Sequence, residues 1–264
     1  MGEAKANKRA RRDLLAKQPW CIYCAGEARA TTVEHMPPAI MFRGKQRPKG
    51  LEFPSCAPCN HGTSHADLVA SFIGRFDPDA GDEQGQKDFL KVLEAIKNNI
   101  PGLLDEMKMG RAGQKLAQRN IEPLPPGAEL MRVSGPLVTT HMKTFAAKLG
   151  FALHYETFGE PVPATGAVQP MWFTNVQAAN GELPMDLIKL LPPMQTLRQG
   201  RKEVGEQFQY SCLVTTEGHH SVFYGTFRSA CAVAAVTALD RSEFLDRAPV
   251  KFPLVLPSDF RRHC

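Results

Sequence analysis

Two pairs of cysteines in the first quarter of the chain form the clearest chemical pattern. Cys21 and Cys24 make one Cys-x-x-Cys motif, and Cys56 and Cys59 make a second. A Cys-x-x-Cys turn lets two thiolates converge on one ion, and two such turns supply the four ligands of a tetrahedral Zn²⁺ site. Four thiolates leave no position open for water, so the pattern predicts structural zinc.

The spacing of the two motifs carries further information. The 31 residues between them exceed the roughly 15 to 20 of a simple zinc ribbon, so the intervening segment must contain more than one turn. A redox function, as in thioredoxin-like proteins, requires a single motif between a strand and a helix. Two pairs with Pro and His around them favour zinc.

Other metal-binding residue types surround the cysteines. Glu34-His35 lies between the pairs and is followed by Pro37-Pro38, and Asn60-His61 follows the second pair directly, with His65 four residues on. A carboxylate and an amide oxygen suit Mg²⁺ or Mn²⁺, whereas an added imidazole shifts the preference toward transition metals such as Ni²⁺. An imidazole with an ordinary pKa of about 6.5 is also suited to accept a proton at neutral pH.

Taken together, the motifs Cys21-x-x-Cys24, Glu34-His35 and Cys56-x-x-Cys59-Asn60 resemble the HNH (ββα-metal) endonuclease family over roughly residues 18 to 75. The resemblance implies a treble-clef-like β-hairpin and helix that hold one divalent ion and are braced by zinc. It implies that Glu34 and Asn60 bind the ion and that His35 is the general base. The resemblance also implies that His61 and His65 are further metal ligands or phosphate contacts, with Asp67 as a weaker candidate for the same roles.

One position departs from the family pattern. Many members carry a middle Asn five residues before the second Cys-x-x-Cys motif, where it holds the loop that positions the base, and this chain has Leu51 there, followed by Glu52. Either another group holds the loop, or the motif is a zinc-binding module without catalysis. Both interpretations stay open on the sequence alone.

Positive charge is concentrated in the same part of the chain. Residues 1 to 75 carry 12 Lys and Arg against 6 Asp and Glu, whereas the whole chain has a net charge of +5. A polyanion is attracted to such a surface because neutralising phosphates releases condensed counterions. The alternative is ordinary solvated surface. The candidate contacts to DNA, or less favoured RNA, are Arg9, Arg11, Arg12, Arg43, Lys45 and Arg47.

The elements around the motif predict an α+β fold with three segments. We expect a basic helix over 3–17 and a nuclease-like module over 1–76, then a loop over 77–88. A helical segment over 77–121 has one helix from Phe89 to Ile100, broken by Pro101-Gly102, and a second over 103–120. The linker candidate is 122–127, and an α+β region of unknown role covers 128–264.

Within the C-terminal region, residues 140–150 predict a helix that stops at Gly150, followed by a strand over 151–158 and a loop over 159–170. The β-prone runs 208–216 and 220–227 predict a hairpin. The run 229–239 is ambiguous between helix and strand. Cys212 and Cys231 are expected to be buried thiols, and Cys264 a free one.

The function classes follow from these patterns. The apolar runs stay far below the roughly 18 residues of a membrane helix, and the basic N-terminus has no apolar stretch behind it, so we expect a soluble cytoplasmic protein. The main hypothesis is a metal-dependent endonuclease acting on DNA, with a homodimer as one route to double-strand cutting. The alternatives are a non-catalytic zinc module that binds nucleic acid or protein, and a zinc-dependent redox sensor.

Overall fold

The cysteine-rich segment contains a helix, a β-hairpin and two short helices. A computed structural model describes residues 2–76, 82–120, 130–215, 220–245 and 253–261. Its first elements are α1 (Gly2–Lys17), β1 (Thr32–His35), β2 (Glu52–Ser55), α2 (Ala57–His61) and α3 (Ser64–Ile73). Strands β1 and β2 pair antiparallel, with His35 opposite Glu52. Short 3₁₀ turns at Ala39–Met41 and Arg43–Lys45 lie in the long connection between these strands.

The middle segment is helical, as expected, with different boundaries. It contains α4 (Glu83–Asn99), α5 (Leu103–Met107) and α6 (Arg111–Asn120). The predicted loop over 77–88 is wrong from residue 83 onward, because the Asp82 carboxylate accepts a hydrogen bond from the Gly85 amide and begins α4 there. The predicted helix over 103–120 is two helices. Residues 77–81 and the linker candidate 122–127 lie outside the described residues.

A single long helix replaces the predicted helix and strand over 140–158. Helix α7 runs from Pro136 to Phe158 and ends at Gly159, whose φ of +74° is left-handed. Gly150 is therefore no helix stop. A Cβ atom at Gly150 would lie 2.8 Å from the Ala235 Cβ and 2.9 Å from the Val168 Cγ1, so this glycine lets the helix approach the sheet closely.

The C-terminal region is built on a five-stranded sheet in the order β3-β9-β8-β7-β4. The predicted hairpin forms from β7 (Gln209–Val214) and β8 (His220–Phe227), and the ambiguous run forms β9 (Cys231–Ala238). The predicted loop over 159–170 ends at residue 166, because β3 (Ala167–Thr174) pairs antiparallel with β9 along its whole length. The short strands are β4 (Gln195–Thr196), β5 (Arg198–Gln199) and β6 (Lys202–Glu203).

Helix α7 lies between the sheet and the cysteine-rich segment, and its middle is buried throughout. One apolar core contains Phe53 of β2, Phe72 of α3, Ile96 of α4, Phe145 of α7 and Phe223 of β8. All three predicted segments therefore contribute side chains to the same core. The mixed α+β class is confirmed.

The remaining elements of the described chain are short helices. They are α8 (Asn175–Ala179), α9 (Met185–Ile188), α10 (Ser242–Leu245) and a 3₁₀ helix at Pro257–Arg261. Cys231 is buried as expected, Cys212 is half-buried, and Cys264 lies outside the described residues. Among the helices that the structure describes, none is both long and apolar enough to cross a membrane.

Candidate functional site

The four predicted zinc ligands come together. Their Sγ atoms all lie within 4.8 Å of one another, and all four residues are buried. Cys21 and Cys24 lie in a tight turn in which the Gly26 amide donates to the Cys21 carbonyl at 2.9 Å. Cys56 lies directly before α2, and Cys59 lies within it. The turn and the start of α2 thus each supply two thiols, and the four thiols converge on one point.

The chemistry of this cluster fits a metal ion such as zinc. Hydrogen bonds with Cys24 and Cys59 lower the pKa of Cys21 to about 2, whereas hydrogen bonds with Cys21 and Cys24 raise the pKa of Cys59. The cluster therefore favours one thiolate that its neighbours stabilise. Binding of zinc would require the remaining thiols to lose their protons, and the ion would supply the charge that holds four thiolates together.

His35 lies at the end of β1, on the side of the hairpin that faces solvent. About half of its side chain is exposed, and its Nε2 is 3.8 Å from the Glu52 Oε1 on the paired strand. Partial burial and then the charge of Arg47 lower the pKa of His35, with Glu52 acting in the opposite direction. The imidazole is therefore neutral at pH 7 and able to accept a proton.

Arg47 holds the connection between β1 and β2. Its guanidinium donates to the carbonyls of Pro37 (2.7 Å), Pro48 (2.8 Å) and Gly50 (2.6 Å). It also donates to the Met36 and Leu51 carbonyls, each at 3.2 Å. Burial lowers the pKa of Arg47 to about 10, so it remains charged. This side chain fixes the loop next to Leu51, the position where the family carries its middle Asn.

Glu34 points away from His35, because successive side chains of a strand face opposite sides. Its carboxylate is buried, and its Oε1 lies 3.2 Å from the Lys148 Nζ of α7. The same Nζ lies 2.8 Å from the Asp67 Oδ2 of α3. Burial raises the pKa of Glu34 to about 7, although the ammonium of Lys148 opposes this change.

Two of the other predicted ion ligands, Asn60 and His65, contact residues other than Glu34. The Asn60 Nδ2 donates to the Thr32 Oγ1 at 3.0 Å. His61 ends α2 and His65 belongs to α3, so the two histidines lie on different helices, and both are exposed. The His65 ring instead contacts His141 of α7, with ring centroids 6.2 Å apart.

The divalent ion implied by the family resemblance does not fit these residues as they lie. Within the described ranges, the four cysteines are the only group of three or more His, Cys, Asp or Glu whose ligand atoms cluster closely. An ammonium group already lies against the carboxylate of Glu34, which is the strongest oxygen ligand of the predicted set. Glu34, His61 and His65 thus form no such group in this arrangement, and the Asn60 amide is bound to Thr32.

The predicted nucleic-acid contacts are mostly exposed. On α1, Arg9 and Arg12 lie 3.7 and 3.8 Å from Asp13, and the Arg11 Nη2 donates to the Thr31 carbonyl at 3.2 Å. Arg43, in the β1–β2 connection, pairs with Asp82 at the start of α4. Lys45 is exposed, whereas Arg47 is committed to the carbonyls described above.

Sequence analysis missed Lys148 and the structural use of Arg47. Lys148 lies three residues after Phe145 and four before Ala152, both of which are buried on the same helix. A charged residue at helical spacing within an apolar stretch is the available signal, because a buried lysine needs a partner of opposite charge. The run of prolines and glycines around Arg47 is the corresponding signal for a loop with unpaired carbonyls.

Comparisons with protein-family models, with curated proteins and with solved structures each return no match. The case for function therefore rests on the residues and contacts described above.

Proposed function

We propose that this chain is an HNH-like endonuclease that hydrolyses phosphodiester bonds of DNA, with RNA as the less favoured substrate. The β1–β2 hairpin, the following helices and four cysteines holding structural zinc form its ββα module. The observation that supports it best is the position of His35, which is half-exposed at the end of β1 beside Glu52, in the same segment of the chain as the cysteine cluster.

In this proposal His35 removes a proton from the attacking water. The water oxygen forms a bond to phosphorus as the bond to the leaving ester oxygen breaks, and the leaving oxygen takes up a proton from solvent. Glu52 orients the imidazole and stabilises the positive charge that it gains, since the two side chains are cross-strand partners. Arg47 holds the loop after His35 and favours the neutral imidazole before the reaction.

The basic side chains would position the substrate. The Arg11 Nη2 donates to the Thr31 carbonyl directly before β1, so part of α1 lies against the strand that carries the proposed base. Phosphate contacts from Arg9, Arg11, Arg12, Arg43 and Lys45 would fix the nucleic acid without reading its sequence.

A second candidate function is a zinc-containing module that binds nucleic acid without cutting it. The contact that favours it is the ion pair of Glu34 with Lys148, since it occupies the carboxylate that the family resemblance assigns to the catalytic ion. This candidate keeps the basic surface and the cysteine cluster and gives His35 no catalytic task.

One experiment separates the two candidates. Supercoiled plasmid is incubated with the zinc-loaded protein in EDTA-free buffer, alone and with Mg²⁺, Mn²⁺, Ni²⁺ or Co²⁺. We expect nicking by the wild type and its loss, by about 100-fold or more, in His35→Ala. Zinc content and thermal stability should not change, because His35 is half-exposed and lies outside the cysteine cluster.

The surface variant Glu160→Ala serves as a matched preparation, since Glu160 is exposed beyond the end of α7. Equal nicking by wild type and His35→Ala would show a contaminating nuclease or another base and would refute the proposal. DNA binding that weakens steeply with salt, without nicking under any condition, would establish the second candidate.

A further inference from the structure

Three charged side chains from three different elements meet in the interior. Glu34 of β1 is 5% exposed, Asp67 of α3 is 9% exposed, and Lys148 of α7 is fully buried. The Lys148 Nζ lies 3.2 Å from the Glu34 Oε1 and 2.8 Å from the Asp67 Oδ2. The ammonium therefore bridges two carboxylates that are separated by 33 positions in the chain.

The outer oxygens of this cluster are unusual. The Glu34 Oε2 and the Asp67 Oδ1 are buried and have no hydrogen-bond partner among the described residues. Oxygens from two carboxylates are donors that suit a hard divalent cation such as Mg²⁺ or Mn²⁺. The cluster thus has the ligands of a cation site, and a cation of the protein's own already lies within it.

We propose that the Lys148 ammonium is the resident cation of Glu34 and Asp67 and keeps divalent ions out of this site. A second cation would have to share both carboxylates with a positive charge at hydrogen-bond distance, in a region that water does not reach. Repulsion at that distance is weakly screened, so occupation by Lys148 and by a divalent ion is mutually exclusive. This inference concerns cation binding and goes beyond the proposed nuclease function.

Because α7 belongs to the C-terminal part of the chain, that part supplies the countercharge for a strand and a helix of the cysteine-rich segment. Any divalent ion that cleavage requires must therefore bind without Glu34, on the exposed side of the hairpin.

Mn²⁺ binding to the zinc-loaded protein tests the proposal, with electron paramagnetic resonance of free Mn²⁺ as the readout. Four variants are compared with the wild type: Glu34→Gln, Lys148→Met, the double variant Lys148→Met/Glu34→Gln, and Lys143→Met as the matched change elsewhere on α7. Methionine keeps the length of the lysine stem without its charge. Zinc content and thermal melting report whether each variant is folded.

We expect Glu34→Gln and Lys143→Met to bind Mn²⁺ as the wild type does. Folded Lys148→Met should gain about one Mn²⁺ per chain, and the double variant should lose it. Loss of a wild-type Mn²⁺ site in Glu34→Gln would overturn the proposal, and so would a folded Lys148→Met that gains none. If Lys148→Met does not fold, the comparison of wild type with Glu34→Gln still decides. Nicking activity does not enter this readout, so failure of the nuclease proposal is detected separately.

Discussion

The buried histidine of α7 makes the stability of this protein depend on pH in a defined direction. His154 is 3% exposed, and its Nδ1 lies 3.0 Å from the Thr237 Oγ1 of β9 and 3.4 Å from the Ser221 Oγ of β8. Burial lowers the pKa of His154 from its ordinary value of 6.5 to about 4. Between these two pH values the unfolded chain therefore binds a proton at His154 that the folded protein does not bind.

The magnitude follows from this change in pKa. Each pKa unit corresponds to about 1.4 kcal/mol, so the full contribution is about 3 kcal/mol. Above pH 6.5 it is fully present, because both states keep a neutral imidazole. As the pH falls from 6.5 toward 4, only the unfolded state gains the proton and stability is lost. Between pH 7 and pH 5 the expected loss from His154 is about 2 kcal/mol.

Urea denaturation at several pH values measures this loss for wild type and His154→Gln. Glutamine is uncharged and can keep a hydrogen bond to Thr237, so the variant should lose about 2 kcal/mol less than wild type between pH 7 and pH 5. Excess zinc is present throughout, and zinc content is measured at each pH, because acid also weakens thiolate ligation. Parallel losses in the two proteins would show that His154 titrates normally in the fold and would refute the argument.

Two further predictions concern the cysteine cluster and the proposed base. Cys59→Ser should lose bound zinc and melt at a lower temperature, since only three thiolates remain. Cys231→Ser changes a buried thiol outside the cluster and should keep its zinc. Equal zinc content in the two variants would contradict the assignment of the zinc ligands. The nicking rate should fall on acidification with a midpoint below pH 6.5, because burial and Arg47 lower the pKa of His35 and only the neutral imidazole is a base. A rate that rises toward acid pH would exclude His35 as the general base.

The sequence predicted the parts of this molecule that depend on local chemistry. The cysteine spacing predicted a four-thiol cluster, and the β-prone runs around residue 217 predicted the β7–β8 hairpin, because ligand geometry and strand alternation act over short distances. Gly150 was misinterpreted because a glycine that ends a helix and a glycine that admits a neighbouring sheet look alike in sequence. Which one applies depends on Val168 and Ala235, which are distant in the chain.

In the candidate site as well, local patterns were predictable from the sequence and contacts between distant residues were not. Glu34 and His35 were selected as candidates by residue type and order, and their roles in catalysis stay predictions. The partner of Glu34 could not be predicted, because Lys148 follows it by 114 positions and meets it only when α7 packs against α3. The role of Arg47 could not be predicted either, because an arginine in the sequence does not show whether its guanidinium binds backbone carbonyls or phosphates.

The position of Lys148 also bears on the order in which the chain is made. Synthesis proceeds from the N-terminus, and domains generally fold as units as they emerge. The hairpin and α3 are complete long before α7 leaves the ribosome, yet Glu34 and Asp67 lack their countercharge until it does. The cysteine-rich segment is therefore not an independent unit. A fragment that ends at residue 76, or a graft of this segment onto another scaffold, would contain two buried carboxylates without the ammonium group that balances their charge.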